Sequence, residues 1–155
     1  MLFRSHIAGC VSPLSLQPPI CYGIDLAKSV DWTAMIGMDR RGSVCDLRHF
    51  QRSWGSTTEE IKNLPQVPVA IDTTGVGDPI VEEVQRYKND VEGVLFTQRH
   101  KQQLMEGLAL AIQKRMITFP EGIIRNELES FEYEYTRTGV KYRSEERRVG
   151  KECRL

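Results

Sequence analysis

Two aspartates stand at the ends of short apolar runs. Asp25 falls at the end of Ile20-Cys21-Tyr22-Gly23-Ile24-Asp25-Leu26, and Asp72 closes Val69-Ala70-Ile71-Asp72. A lone aspartate in such a place is commonly a turn or cap residue. Two that a fold sets side by side repel one another, and the usual compensation is a bound cation. Oxygen-only ligands suit Mg2+ or Mn2+ rather than zinc. Two such ions about 4 Å apart activate a water and stabilise the leaving oxygen in phosphodiester cleavage. Asp25 and Asp72 are therefore the candidate catalytic and metal-binding residues, with two divalent cations, Mg2+ or Mn2+, as cofactors.

Other polar residues are open to two readings each. Asp31, in Lys28-Ser29-Val30-Asp31-Trp32, either leans back over the metals as a further ligand or simply starts the next strand. Asp78, just before Pro79, reads as a helix cap. Thr73-Thr74-Gly75-Val76-Gly77 leads into a helix start and could approach a phosphate. It has neither the P-loop lysine nor GxGxxG spacing, so it does not by itself indicate nucleotide binding. Gln98 to Gln103 form a polar, basic patch before a long helix; Arg99, Lys101 and Gln102 are candidate contacts to a DNA backbone, against the alternative of a solvated helix start. His6 and His49 have no identifiable partners. Trp32, Trp54, Tyr133 and Tyr135 read as core and strand residues rather than base-stacking platforms.

The elements that must position the two acids follow from periodicity and turn signals. Residues 20–26, 33–38 and 44–52 read as three strands joined by short loops, an antiparallel meander. Thr57 and Glu60 fit a capping box opening a helix to Leu64. Val67 to Ile71 is apolar throughout, as a central strand would be. A helix from Pro79 to Tyr87, a strand from Val91 to Phe96 and a long helix from Lys101 to Lys114, with Leu104, Leu108, Ala111 and Ile112 on one face, come next. A short extended piece over 116–119, a helix over 123–131 and a hairpin around Thr138-Gly139 complete the pass. Three antiparallel strands, then strands alternating with helices, is the ribonuclease H-like order, an α/β fold with a central mixed sheet flanked by helices. In that order the first and fourth strands are neighbours at mid-sheet, which brings Asp25 beside Asp72.

Composition limits the alternatives. The chain has 155 residues, 40% hydrophobic and 27% charged, with 21 basic and 21 acidic residues. That length suits one domain, and the zero formal charge argues against a polybasic, non-specific nucleic-acid binder. No apolar run approaches the ~20 residues of a membrane span. Cys10, Cys21, Cys45 and Cys153 form no CxxC pair and read as free thiols of a reducing cytosol.

The ends read differently from the middle. Leu2-Phe3-Arg4-Ser5 and Arg143-Ser144-Glu145-Glu146 can be encoded by the two strands of one DNA sequence, which is similar to a common sequencing adapter. Residues 1–5 and 143–155 are accordingly expected to be appended sequence. They hold 6 of the basic and 3 of the acidic residues, leaving 15 and 18 elsewhere, a net charge of −3. The expected layout is an adapter-like start and disordered linker over 1–19, a ribonuclease H-like domain over 20–142 and an appended tail over 143–155.

Four segments carry a family resemblance: Tyr22-Gly23-Ile24-Asp25-Leu26-Ala27, Ile71 to Pro79, Lys101-Gln102-Gln103-Leu104-Met105-Glu106-Gly107-Leu108, and Leu128 to Tyr135. Together they resemble the nuclease half of phage large terminases, over nearly the whole of residues 20–142. The resemblance implies a two-metal endonuclease that cuts concatemeric viral DNA, with Asp25 and Asp72 as ligands. It implies double-stranded DNA, the portal, the prohead and the small terminase subunit as partners, no membrane, and the cytoplasm of a bacterial host. It also implies a third acid soon after the last hairpin. Here the adapter-like tail follows Tyr142, and Glu145, Glu146 and Glu152 are not promoted to ligands. No Walker A motif is present, so an ATPase half is not represented. The expectation is a fragment with two of three ligands and little or no activity. A resolvase or transposase of the same fold, an actin-like ATPase fragment and an inactive DNA-binding module are the competing readings.

Overall fold

Strict alternation of buried and outward residues marks the strands that meet at the candidate site. In β1 (Cys21–Asp25), Tyr22 and Ile24 are buried while Gly23 and Asp25 face outward. β2 (Thr33–Met38) buries Thr33, Met35 and Gly37, and β4 (Val69–Asp72) buries Val69 and Ile71. The structure, a computed structural model, describes residues 4–26, 31–74, 78–136 and 139–143, the last hairpin through its backbone pairing alone. These residues fall into two units, one formed by 14–96 and one by 1–13 with 97 onward.

The 14–96 unit is built on a five-stranded sheet in the order β3-β2-β1-β4-β5, with β3 at Val44–Phe50 and β5 at Val91–Val94. β1 pairs antiparallel with β2, and β2 with β3; β1–β4 and β4–β5 are parallel. This is the strand order the sequence predicts. α2 (Trp54–Lys62) and α3 (Asp78–Gln85) supply Ile61, Ile80, Val81 and Val84 to a core shared with Ile24, Met35, Val69 and Ile71. Each such side chain, fully buried, contributes about 1.5–3 kcal/mol.

A polar chain runs along one flank of that core. The Tyr22 ring crosses Gly37 so closely that a Cβ there would lie 2.8 Å from it, which is why a glycine stands opposite the tyrosine. The Tyr22 hydroxyl donates to Asp46 Oδ2 at 2.8 Å. Arg48 donates to Asp46 and to Glu60 on α2, and Glu60 also accepts from Arg52 at 2.9 Å. On the other flank Lys88 is buried, and its ammonium donates to the carbonyls of Leu64 and Pro65, both at 2.8 Å. Burial pushes the Lys88 pKa below its ordinary value.

In two places the local structure differs from the sequence expectation. α2 begins one turn before Thr57: Ser53 is the N-cap, its Oγ accepting from Ser56 N at 3.3 Å. Thr57 is then buried inside the helix, and Glu60 turns to the arginines in place of a capping box. Part of the stretch read as linker also carries secondary structure and packing contacts. In the second unit, α1 (Arg4–Ala8) buries Ile7, Cys10 Sγ donates to Ile112 O at 3.4 Å, and Val11 bridges Phe119 in parallel. A five-residue helix is too short to show a period, so only burial reveals it.

That unit also contains α4 (Gln98–Gln113), α5 (Ile123–Ser130) and the antiparallel pair β6 (Glu132–Thr136) and β7 (Gly139–Arg143). On α4, Ile112 is buried while Leu104 is 47% exposed, so the apolar face drawn from spacing is covered only at its C-terminal end. No helix among the described residues is long and apolar enough to cross a membrane.

Burial alone would raise the Asp46 carboxyl pKa, but hydrogen bonds from Arg48 and Tyr22 outweigh it and hold it below the usual value. A carboxylate depressed in this way stabilises the fold above its unfolded pKa, about 3.9, and loses that contribution as pH falls through the lower folded value. The stability gap between wild type and Asp46→Asn, followed by urea unfolding, is therefore expected to be constant near neutral pH and to shrink below about pH 4. A gap that does not change with pH would contradict this account.

Candidate metal centre

Asp25 and Asp72 are register partners on adjacent parallel strands. Strand spacing is about 4.8 Å, so the two carboxylates leave the sheet side by side. Both stand on the face opposite the α2–α3 core, since their neighbours Ile24 and Ile71 point into it. Asp25 is exposed and Asp72 half-buried. Asp72 is held from below: its Oδ1 accepts from Thr74 N at 2.8 Å, and Thr74 Oγ1 accepts from Phe96 N at 3.1 Å. Thr73 N donates to Val94 O at 3.0 Å, so the strand end carrying Asp72 is tied to β5 on both sides of the turn.

One oxygen of Asp72 is thus used in orientation, and the other remains for a ligand. Like charges directly opposed across strands are destabilising, and a divalent cation removes that penalty. The donor set is oxygen-only, which fits Mg2+ or Mn2+: such ions keep several waters and bind through one or two carboxylates and a substrate phosphate. Among the described residues no group of three or more His, Cys, Asp or Glu side chains gathers to hold a metal.

A sequence model of the family described as "Terminase RNaseH-like domain" matches residues 22–150. The chain belongs to this family. The terminase fold is seen equally in solved structures. The large terminase nuclease from thermophilic phage G20c with bound magnesium is 24% identical, with a TM-score of 0.75 over 93% of this chain and 88% of that one. Its cobalt-bound form gives 23% and 0.74 over 93% and 88%. The Thermus phage P74-26 large terminase nuclease domain gives 21% and 0.74 over 91% and 84%. No curated protein sequence matches significantly. The fold is therefore ribonuclease H-like, a mixed five-stranded sheet with helices.

Within this terminase fold the remaining candidates are dispersed. Asp31 is exposed, two residues before β2 and beyond the paired part of the sheet. Asp78 is the first residue of α3 and complements the positive end of its dipole. Arg99, Lys101 and Gln102 lie on the first turns of α4, in the other unit, where Thr97 is the N-cap. Arg99 and Lys101 are exposed, while Gln102 Nε2 donates to Glu106 at 2.9 Å. Gly75-Val76-Gly77 and the acids Glu145, Glu146 and Glu152 lie outside the described residues. The side chains of Tyr133 and Tyr135 lie outside them too.

Sequence reading passed over two residues at this end of the sheet. Trp32, taken as core, is 53% exposed and stacks on His49, ring centroids 4.4 Å apart and planes 14° from parallel. Neither lies in a recognisable motif. The pairing of Ala34 with His49 could have signalled it once the meander register was known.

The role of Thr74 as a strut can be checked. Thr74→Val keeps the backbone N–H to Asp72 but leaves Phe96 N without its threonine acceptor, and is expected to cost about 1 kcal/mol. Faster hydrogen exchange at the Phe96 amide, relative to Val91, would mark the loss. Unchanged exchange would mean that the strut carries no load.

Proposed function

We propose that this chain is the metal-dependent DNA endonuclease domain of a viral DNA-packaging terminase, which cuts concatemeric phage DNA by two-metal phosphodiester hydrolysis. The observation that carries the reading is the register pairing of Asp25 with Asp72 at mid-sheet, in a chain of the terminase RNaseH-like family. Bound Mg2+ or Mn2+ would supply charge neutralisation and an activated water. The chain's own residues set the geometry: Asp25 and Asp72 would hold the ions, Thr74 orients one carboxylate, and the sheet keeps the pair from relaxing apart. Family membership disfavours the resolvase or transposase and actin-like readings. The G20c nuclease of the same fold has bound magnesium, which supports the use of a divalent cation by this chain.

The reading extends to partners and setting. Double-stranded DNA is the substrate; the portal, prohead and small terminase subunit are the assembly partners, in the cytoplasm of a bacterial host. It also holds that a third acidic ligand belongs after the last hairpin and that the acids of residues 143–155 do not replace it. With two ligands, the chain is expected to bind metal weakly and to turn over little.

A chain bearing a third acid at that place is expected to nick supercoiled plasmid DNA in Mn2+. Asp25→Asn or Asp72→Asn in that chain should abolish nicking and remove the Mn2+ binding isotherm seen by calorimetry. Nicking at the wild-type rate in both variants would refute the assignment. Duplex binding without nicking in the extended chain would favour the inactive DNA-binding module.

A further inference from the structure

Beyond the acids, one pair of side chains shares their sheet end and face without belonging to the core. His49 pairs with Ala34, Ala34 with Asp25 and Asp25 with Asp72, so four residues on four adjacent strands form one row across the sheet. Residues directly opposed in register point to the same side. His49 therefore rises from the same face as the two carboxylates, two strand spacings from Asp25, roughly 10 Å. Between them in that row stands Ala34, whose side chain is a single methyl. Both rings of the Trp32–His49 stack lie at the surface, Trp32 with 53% of its area in solvent. Trp32 covers the imidazole of His49 with one face of its indole.

The described cations beside His49 are otherwise engaged. Arg48 bonds Asp46 and Glu60, and Arg52 bonds Glu60 while lying 4.7 Å over the Phe50 ring. His49 is thus the cation-capable, hydrogen-bond-donating side chain that the β3 end presents in the row of the acids. Stacking fixes the plane of its ring and leaves the ring edge, with its N–H, available.

We propose that His49 contacts the phosphodiester backbone of duplex DNA beside the scissile position, with Trp32 as a positioning residue that holds the imidazole plane. The inference rests on the nuclease reading above. Each DNA strand advances about 3.4 Å per nucleotide along the axis while winding around it, so successive phosphates are spaced more widely than the rise, and a strand whose scissile phosphate sits at Asp25 and Asp72 would pass His49 within about two nucleotides. Backbone contacts of this kind fix the register of a protein on DNA without reading its sequence.

The test measures binding of the wild-type chain and its variants to a short fluorescein-labelled duplex by anisotropy, in Ca2+. His49→Ala is expected to bind about tenfold more weakly, the effect of losing one hydrogen bond to a charged group. His49→Gln, which keeps a side-chain N–H, should retain most of the affinity. Trp32→Ala should lose affinity, and Trp32→Phe, which preserves the stack, should recover it. Melting temperatures of all four should match wild type; a purely structural pair would lower them and leave affinity unchanged. Wild-type affinity in His49→Ala overturns the inference, as does absence of duplex binding by the wild-type chain. Failure of the nuclease reading is seen separately, as nicking that survives Asp25→Asn and Asp72→Asn in the extended chain.

Discussion

The parallel pairing of β1 with β4 governs both halves of this structure's chemistry. On each strand a buried aliphatic alternates with an outward residue, so Ile24 meets Ile71 on the core side and Asp25 meets Asp72 on the other. A slip of one residue in either strand would send its aspartate into the apolar layer beneath α2 and α3 and leave its isoleucine in water. Charge burial without a partner is so costly that the core itself enforces the alignment of the acids. Stability and site geometry are one constraint, expressed on two faces of a sheet.

The polar chains at the flanks serve the same pairing. Tyr22, one of the β1 residues that define the register, is fixed through Asp46 to Arg48, and Arg48 reaches Glu60 on α2. Lys88 closes the segment just before β4 by satisfying the carbonyls of Leu64 and Pro65. Each device is buried or half-buried, where an unmade hydrogen bond is expensive. Substitutions there would disturb the carboxylates without touching them.

Much of this was legible in the residues. The strand order, the central place of Val69–Asp72 and the meeting of Asp25 with Asp72 follow from apolar runs and short loops. Three things were not legible. The true cap of α2 is hidden in the sequence because Thr57 and Glu60 also fit a capping pattern; the hydrogen bond from Ser56 N to Ser53 Oγ and the burial of Thr57 decide for Ser53. The ordered start, α1 and Cys10, depends on contacts with α4, α5 and Phe119, which no local pattern announces. Trp32 was assigned to the core by residue type, but its position outside the β2 pairing leaves it at the surface, over His49.

The wide sequence separation of β1 and β4 has a consequence in time. Between them the chain must lay down β2, β3 and α2 before the fourth strand can dock beside the first. Contacts that close long loops form late, because their entropy must be met before they are rewarded. A chain still emerging from the ribosome therefore has Asp25 before it has a fourth strand on which Asp72 could pair with it. The pairing of Asp25 with Asp72 is assembled only when the central sheet is complete, so on the proposed function any capacity to hold a cation between them would come with the fold rather than ahead of it.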